Sequence, residues 1–166
     1  LNSASSPAFA GFTATSDTPA VLGATSDKTA VPGTYSVVVK NLATGSKVAS
    51  AAFAGGAASA IPSGTLKITQ NGTDYPVTIP ANATLQSTRD AINTAQSANG
   101  ISANIVTDST GASRLVLSSN KTGAGMDMKV SGIAGLEIDG TQPMGDSPAA
   151  GASGAVGDVA KDATLT

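Results

Sequence analysis

The chain is 166 residues long, with a formal net charge of -2, 12% charged residues and 3% aromatics; that is length for one ordinary domain or two small ones. It has no Cys and no His, which removes disulfides, thiolate catalysis, sulfur-ligated metals and the side chain most used for proton transfer and zinc ligation near neutral pH. The charge balance gives no basic footprint for nucleic acid, and no apolar run approaches the ~20 residues that a bilayer-spanning helix needs.

Hydrophobic residues make up 40% of the chain, but many of them are Ala. Burial stabilises by only ~25 cal/mol per Å² and ordering each residue costs ~1.5 kcal/mol, so thin cores and long polar loops are expected. Neighbouring subunits or further sequence would complete the fold. The chain opens on Leu1 rather than Met, so an internal stretch of a longer protein is expected, and no signal-peptide pattern is present.

Short segments rich in Thr, Val and Ala come first, Phe9–Thr15 and Ala20–Thr25, with turn clusters at 16–19 and 25–28. Val31-Pro32-Gly33 marks another turn. The clearest strand of this part is Thr34–Asn41, with Tyr35, Val37 and Val39 on one face. Residues 42–53 are ambiguous between strand and irregular structure. The stretches AGGAASAIPS (54–63) and QPMGDSPAAGASGAVG (142–157) read as small-residue linkers.

Between the linkers the pattern is legible. Thr65–Gln70 alternates with Leu66 and Ile68 inward, and Asn71-Gly72 closes a hairpin because both positions tolerate positive φ. Asp74–Ile79 returns with Tyr75, Val77 and Ile79 inward; Pro76 makes this an edge strand. Thr84 is placed to cap a helix over Leu85–Ala98, with Leu85, Thr88, Ala91, Ile92 and Ala95 on its buried side and Arg89, Asp90, Asn93 and Gln96 outward. Asn99-Gly100 supplies a left-handed stop. Strands Ile101–Thr107 and Arg114–Ser118 follow, with Ile101, Ala103, Ile105, Leu115 and Leu117 inward, then weaker candidates at Met126–Ser131 and Leu136–Ile138. A further strand begins within Val159–Thr166.

The fold class is therefore mainly β with one α-helix, as two small β-rich domains, one inserted into the other. Residues 1–56 and 142–166 are expected to form a discontinuous first domain, incomplete at its C-terminal end. Residues 57–141 are expected to form the inserted outer domain.

Patterns that invite chemistry each have a plainer explanation. Asn71-Gly72-Thr73, Asn82-Ala83-Thr84 and Asn120-Lys121-Thr122 fit the glycosylation acceptor, and turn chemistry accounts for the first. Gly123-Ala124-Gly125 lacks the Lys-Ser/Thr ending of a phosphate loop. Asp17, Asp27, Asp108, Asp127, Asp139 and Asp146 are scattered outside any cation-loop spacing and suit turns and caps. Glu137 is the only Glu, no carboxylate pair is nominated, and a Ser or Thr nucleophile would need a Lys base. Lys40, Lys47, Lys67 and Lys129 fall on solvent-facing or ambiguous positions of alternating strands. The reading is no enzyme, with no catalytic, cofactor-binding or metal site and no cofactor.

The segment PGTYSVVVKNLA, Pro32–Ala43, resembles the one that opens the head region of bacterial flagellar filament capping proteins, the hook-associated protein 2 (FliD) family. Leu1–Ser5 is similar to the end of that family's helical leg. Within Leu85–Ser119, Arg89–Asn93, Gly100–Ala103 and Arg114–Ser119 resemble the IN motif of flagellins and hook-associated proteins, and Lys121–Ala124 continues it. Ala160–Thr166 is similar to the start of the family's C-terminal conserved region. The two linkers and Met126–Asp146 fall outside the resemblance.

The resemblance implies a pair of β-rich head domains, the IN-like motif lying in the inserted one. It implies secretion through the flagellar channel to the filament tip, and a ring-like homo-oligomer, commonly pentameric, that helps flagellin assemble and prevents its leakage. It also implies adhesion to host mucin in some pathogens. Candidate contact surfaces are the strand Tyr75–Ile79 and loops 54–63 and 144–157. The alternatives are an adhesin or mucin-binding module, which the inward placement of Tyr35 and Tyr75 weighs against, and a variable outer domain of a flagellin or hook–filament junction protein. No reading calls for nucleic acid or membrane insertion.

Overall fold

Two local signals set the geometry of the chain. Asn71 and Gly72 adopt φ of 49° and 73°, the positive pair that lets a two-residue turn match the twist of its strands. Thr84 accepts a hydrogen bond from the Ser87 backbone N–H at 3.2 Å, and Ser87 Oγ accepts from the Thr84 N–H at 2.8 Å. This reciprocal capping box starts a helix. Gly100, at φ 77°, stops it.

The structure, a computed structural model, describes residues 13–20, 22–27, 29–144, 153–156, 160–162 and 164–165. It divides into two units, Leu1–Val37 and Val38–Thr166.

The second unit begins with β1 (Val39–Asn41) and β2 (Gly45–Ala49). A 3-10 turn at Gly56–Ala58 leads to β3 (Ala60–Ile61), then the hairpin β4 (Gly64–Gln70) and β5 (Thr73–Ile79). β6 (Ala83–Thr84) runs into α1 (Leu85–Gln96), and a second 3-10 turn at Ser97–Asn99 leads to β7 (Ile101–Thr107) and β8 (Ser113–Thr122). β9 (Met128–Ser131), β10 (Ile138–Asp139), β11 (Gly154–Ala155) and β12 (Thr164–Leu165) complete it.

The strands form two antiparallel four-stranded sheets, in the orders β10-β9-β4-β5 and β11-β2-β8-β7, and two short pairs, β3-β6 and β1-β12. Alternation sends Leu66, Ile68, Val77, Ile79, Met128, Val130 and Ile138 of the first sheet into one core. There they meet Val48, Ile101, Ala103, Leu115 and Leu117 of the second sheet, and Leu85 and Ile92 of α1. Each fully buried Leu or Ile contributes about 1.5–3 kcal/mol relative to exposure.

Buried polar groups stitch the sheets together. Gln70 of β4 donates to the Met126 carbonyl at 2.6 Å and accepts from Ser119 Oγ of β8 at 3.0 Å. Ser46 Oγ of β2 accepts from the Met128 N–H of β9 at 3.0 Å. Fully satisfied groups of this kind fix one register, because any slip leaves them unpaired in the interior.

The mainly β fold with one helix stands as expected from the sequence, but several local expectations change. The 54–63 stretch, read as a linker, is folded. Ile61 is buried, and the Ser59 carbonyl accepts from the Leu85 N–H at 2.9 Å, satisfying a free donor of the first helical turn. On α1, Ala95 is exposed and Gln96 is 5% exposed, the reverse of the expected faces. The helix turns to 3-10 geometry after Gln96, and that side chain has a partner inside. Residues β2 and β11 lie outside 57–141, yet they complete a sheet with β7 and β8, which lie inside it.

In the first unit no described residue is in a strand. The strand expectations for Phe9–Thr15 and Ala20–Thr25 find none at 13–15, 20 or 22–25; residues 9–12 and 21 lie outside the described set. A turn near Asp17–Ala20 is held by the Leu22 N–H on the Thr18 carbonyl at 3.0 Å. The expected strand Thr34–Asn41 shrinks to β1, and Tyr35, placed inward by alternation, is 77% exposed. β12 offers only two residues of pairing. Of the 142–157 linker and the strand expected within Val159–Thr166, residues 145–152, 157–159, 163 and 166 lie outside the described set, as do Asp146 and Leu1–Ser5.

Candidate functional site

Sheet edges are the first place to look for a surface that engages other chains, because an edge strand exposes unpaired N–H and C=O groups. Here β5 and β7 are edges, and α1 packs against both. Two amides on this helix engage their backbones. Asn93 donates to the Ala103 carbonyl at 2.9 Å and accepts from the Ala103 N–H at 2.7 Å. Gln96 donates to the Pro76 carbonyl at 2.8 Å. Pro76 stands opposite Lys67 in the hairpin register, a position whose backbone faces away from β4, so its missing N–H takes nothing from the ladder. Both edges are thus plugged beside the helix.

Sequence reasoning put Asn93 and Gln96 in solvent and missed this role. The available signal was two amides three residues apart, flanking the apolar stripe. Beyond Ala103, the Ile105 N–H is taken by Asn104 Oδ1 at 2.8 Å, and Val106 is 54% exposed. The strand Tyr75–Ile79 proposed for contacts therefore lies at an edge, with its middle occupied from within. Tyr75 is half-buried and accepts from Lys121 Nζ at 2.6 Å.

The outer face of the first sheet is polar. Asp139, Lys129, Thr69 and Asp74 lie in one row across β10, β9, β4 and β5. Lys129 pairs with Asp139 at 3.3 Å, Lys67 with Asp74 at 3.2 Å, and Thr69 Oγ1 donates to Asp74 at 2.7 Å. These hydrogen bonds, Thr69 first and Lys67 second, hold the Asp74 carboxyl below its ordinary range. Exposed pairs of this kind add little stability but keep the face wet.

Three carboxylates serve turns. Asp27, Asp108 and Asp139 each accept from both the hydroxyl and the N–H of a Thr two residues on, Thr29, Thr110 and Thr141. The Thr hydroxyl is the largest cause lowering each of the three. Asp127 accepts from the Ala160 N–H and Asp162 from the Ala124 N–H, both at 2.8 Å. In the Gly123-Ala124-Gly125 loop a carboxylate of the chain itself thus occupies the N–H that a phosphate would take. Of the sequence-nominated lysines, Lys67 and Lys129 are in ion pairs, and Lys40 and Lys47 are exposed. No group of three or more acidic, Cys or His side chains gathers among the described residues, and no helix there is long and apolar enough to cross a membrane.

The last feature is the root of the second unit. β1 and β12 pair antiparallel, Thr44 and Lys161 form an isolated bridge, and Asn41 Nδ2 donates to the Asp162 carbonyl at 2.9 Å. The Thr44 N–H donates to the Lys161 carbonyl at 3.0 Å, and Thr44 Oγ1 accepts from the Lys161 N–H at 3.2 Å. The segments that lead into and out of the two-sheet body are therefore clamped side by side. Val38, Val39 and Leu42, beside this clamp in sequence, are exposed at 56%, 45% and 75%.

Comparison with known proteins gives a consistent picture. Residues 1–46 match the family model described as flagellar hook-associated protein 2 N-terminus, and residues 65–121 match the flagellin hook IN motif. The chain is 47% identical over 128 residues to the B-type flagellar hook-associated protein 2 of Pseudomonas aeruginosa, covering 76% of this chain and 27% of that protein. It is 35% identical over 136 residues to the flagellar hook-associated protein 2 of Escherichia coli, covering 78% and 28%. Among solved structures, FliD of Pseudomonas aeruginosa aligns at a TM-score of 0.70 and 40% identity, over 83% of this chain and 64% of that one. The D2-D3 domains of the Escherichia coli flagellar cap protein FliD align at 0.61 and 29%, over 86% and 74%. The chain spans about a quarter of the length of these curated relatives.

Proposed function

The chain belongs to the flagellar hook-associated protein 2 (FliD) family, and from that premise we propose that it is the head portion of a filament cap. It works by shape and contact, without a reaction centre. In this reading the protein is exported to the flagellar tip, assembles with copies of itself into a ring, and promotes insertion of flagellin while preventing its escape. One head domain is inserted in another, and we place the junction at the β1–β12 clamp rather than at 56/57 and 141/142, because β2 and β11 share a sheet with β7 and β8.

The observation that supports this most directly is the order of two family matches along one chain, N-terminal segment first and IN motif second. The fold beneath them is compatible, since the edge-facing amides Asn93 and Gln96 and the carboxylates of Asp74, Asp108, Asp127, Asp139 and Asp162 are engaged within the chain. The test is complementation in a strain lacking its cap. The full-length protein should restore filament growth and stop flagellin accumulating in the medium; failure of both would overturn the reading.

Adhesion to host mucin is carried as a second reading on one observation. Tyr35, whose expected burial argued against it, is 77% exposed. Tyr35→Ala should then lower retention on immobilised mucin while leaving filament growth intact.

A further inference from the structure

The chain contains the dipeptide Asn-Gly twice, at 71–72 and 99–100. We propose that Asn71 is a site of spontaneous deamidation and backbone rearrangement, and that the fold shields Asn99 from the same reaction.

In this chemistry the backbone nitrogen of the following residue attacks the side-chain carbonyl carbon of Asn. A new N–Cγ bond closes a five-membered succinimide. The Cγ–Nδ2 bond breaks, and the proton from the attacking nitrogen leaves with Nδ2 as ammonia. Water then opens either carbonyl of the ring, leaving Asp or a β-linked isoaspartate. Only water is consumed. Glycine favours attack because no Cβ screens its nitrogen.

Access and a free attacking nitrogen are both present at Asn71. Both Asn71 and Gly72 are exposed, and a Cβ built on Gly72 would meet nothing within 4 Å. The closing pair of the ladder is Gln70 with Thr73, so the Gly72 N–H lies inside the turn, outside the strand pairing. Among the described residues it donates no backbone hydrogen bond.

At Asn99 both reacting nitrogens are held. Nδ2, which must leave, donates to Gln96 Oε1 at 2.8 Å. The Gly100 nitrogen, which must attack, donates to the Ser97 carbonyl at 3.0 Å. Gln96 is itself buried and anchored on the Pro76 carbonyl at 2.8 Å. The space over Gly100 is filled by the Asn120 side chain, with which a Cβ would collide. Reaction at Asn99 has to wait for local opening of the helix end.

The consequence falls on the hairpin. An Asp product keeps a residue that the turn accepts, whereas a β-linked product adds one methylene to a two-residue connection whose length sets the register of β4 and β5.

The experiment uses the full-length protein, aged at mildly alkaline pH and digested with trypsin. Cleavage after Lys67, Arg89 and Arg114 places the two sites in separate peptides, 68–89 and 90–114. Fragment mass spectra follow the gain of one mass unit at each Asn, and enzymatic methylation of isoaspartate identifies the β-linked product. Asn71 should convert on the order of ten-fold faster than Asn99 in the folded protein, since the latter reacts only through local opening. In denaturant the two rates should converge to within about two-fold, because no opening step then separates them. Conversion of Asn99 as fast as Asn71 in the folded protein, or a difference that persists in denaturant, would overturn the proposal.

Discussion

Residues 34–41 and 64–79 carry the same kind of pattern, large apolar residues at alternating positions. In the hairpin, the alternation delivers Leu66, Ile68, Val77 and Ile79 into the core at 0–3% exposure. In the earlier segment it delivers nothing: Tyr35, Val37 and Val39 are exposed at 77%, 46% and 45%, and only three residues are in a strand. The difference is in the partners. β4 is paired on both sides, by β5 and β9, whereas β1 meets two residues of β12. Alternation states what a strand could bury; pairing and a facing layer decide whether it does.

The largest test sets a core position against an exposed one. Leu117→Ala should destabilise the protein by about 2–5 kcal/mol, the range for emptying a fully buried Leu site. Val38→Ala should stay within about 0.5 kcal/mol, as exposed positions do. Denaturant unfolding of both variants decides it, and a large loss at Val38 would mean that the leading segment is packed after all. A steric counterpart is Gly140→Ala. Gly140 is absent from the positive-φ glycines, yet a Cβ there would collide with the Met128 carbonyl oxygen. The loss should be about 1–3 kcal/mol, as for overpacking elsewhere, while Gly23→Ala, with nothing within 4 Å, should cost almost nothing.

The edge plugs come next. Asn93→Ala leaves the N–H and C=O of Ala103 without their amide, and should cost about 1–3 kcal/mol. It should also raise concentration-dependent self-association, visible by sedimentation, because it opens the β7 edge. Thr88→Val should act in the opposite sense. Thr88 Oγ1 is buried and, among the described residues, finds no protein partner, so removing it should raise stability by about 1 kcal/mol.

How much of this was legible follows from the length scale of each signal. The Asn71-Gly72 turn, the Thr84 cap and the Gly100 stop are local, and each reads directly from residue chemistry. So does the core face of β4, β5, β7 and β8, where large side chains alternate. β2 stays ambiguous and β3 reads as linker because small residues surround them; Val48 and Ile61 are single large residues without a period. The roles of Gln70, Asn93 and Gln96 went unread for another reason: their partners Ser119, Ala103 and Pro76 lie 49, 10 and 20 residues away. Polar residues on an amphipathic face read as solvent-facing until the fold supplies the backbone they cap.

The smallest expected effect separates local chemistry from tertiary context most cleanly. Asp27 lies in the first unit and Asp108 in the second, yet both accept from the hydroxyl and N–H of a Thr two residues on, and both have lowered pKa values with that hydroxyl as the first cause. A carboxyl lowered in the folded state stabilises above its unfolded value, and that contribution is lost as pH falls through the folded one. The turns should therefore loosen only under acid, and only slightly, because both carboxylates are exposed. Thr110→Val removes the hydroxyl and leaves the backbone donor, so Asp108 should move part of the way back toward an ordinary carboxyl, with Asp27 and Asp139 unmoved. Carboxyl-carbon NMR titration reads each site separately. Equal movement at all three would mean that a field shared across the molecule sets these values, and that the Asp-x-Thr turn is not the self-contained unit its hydrogen bonds describe.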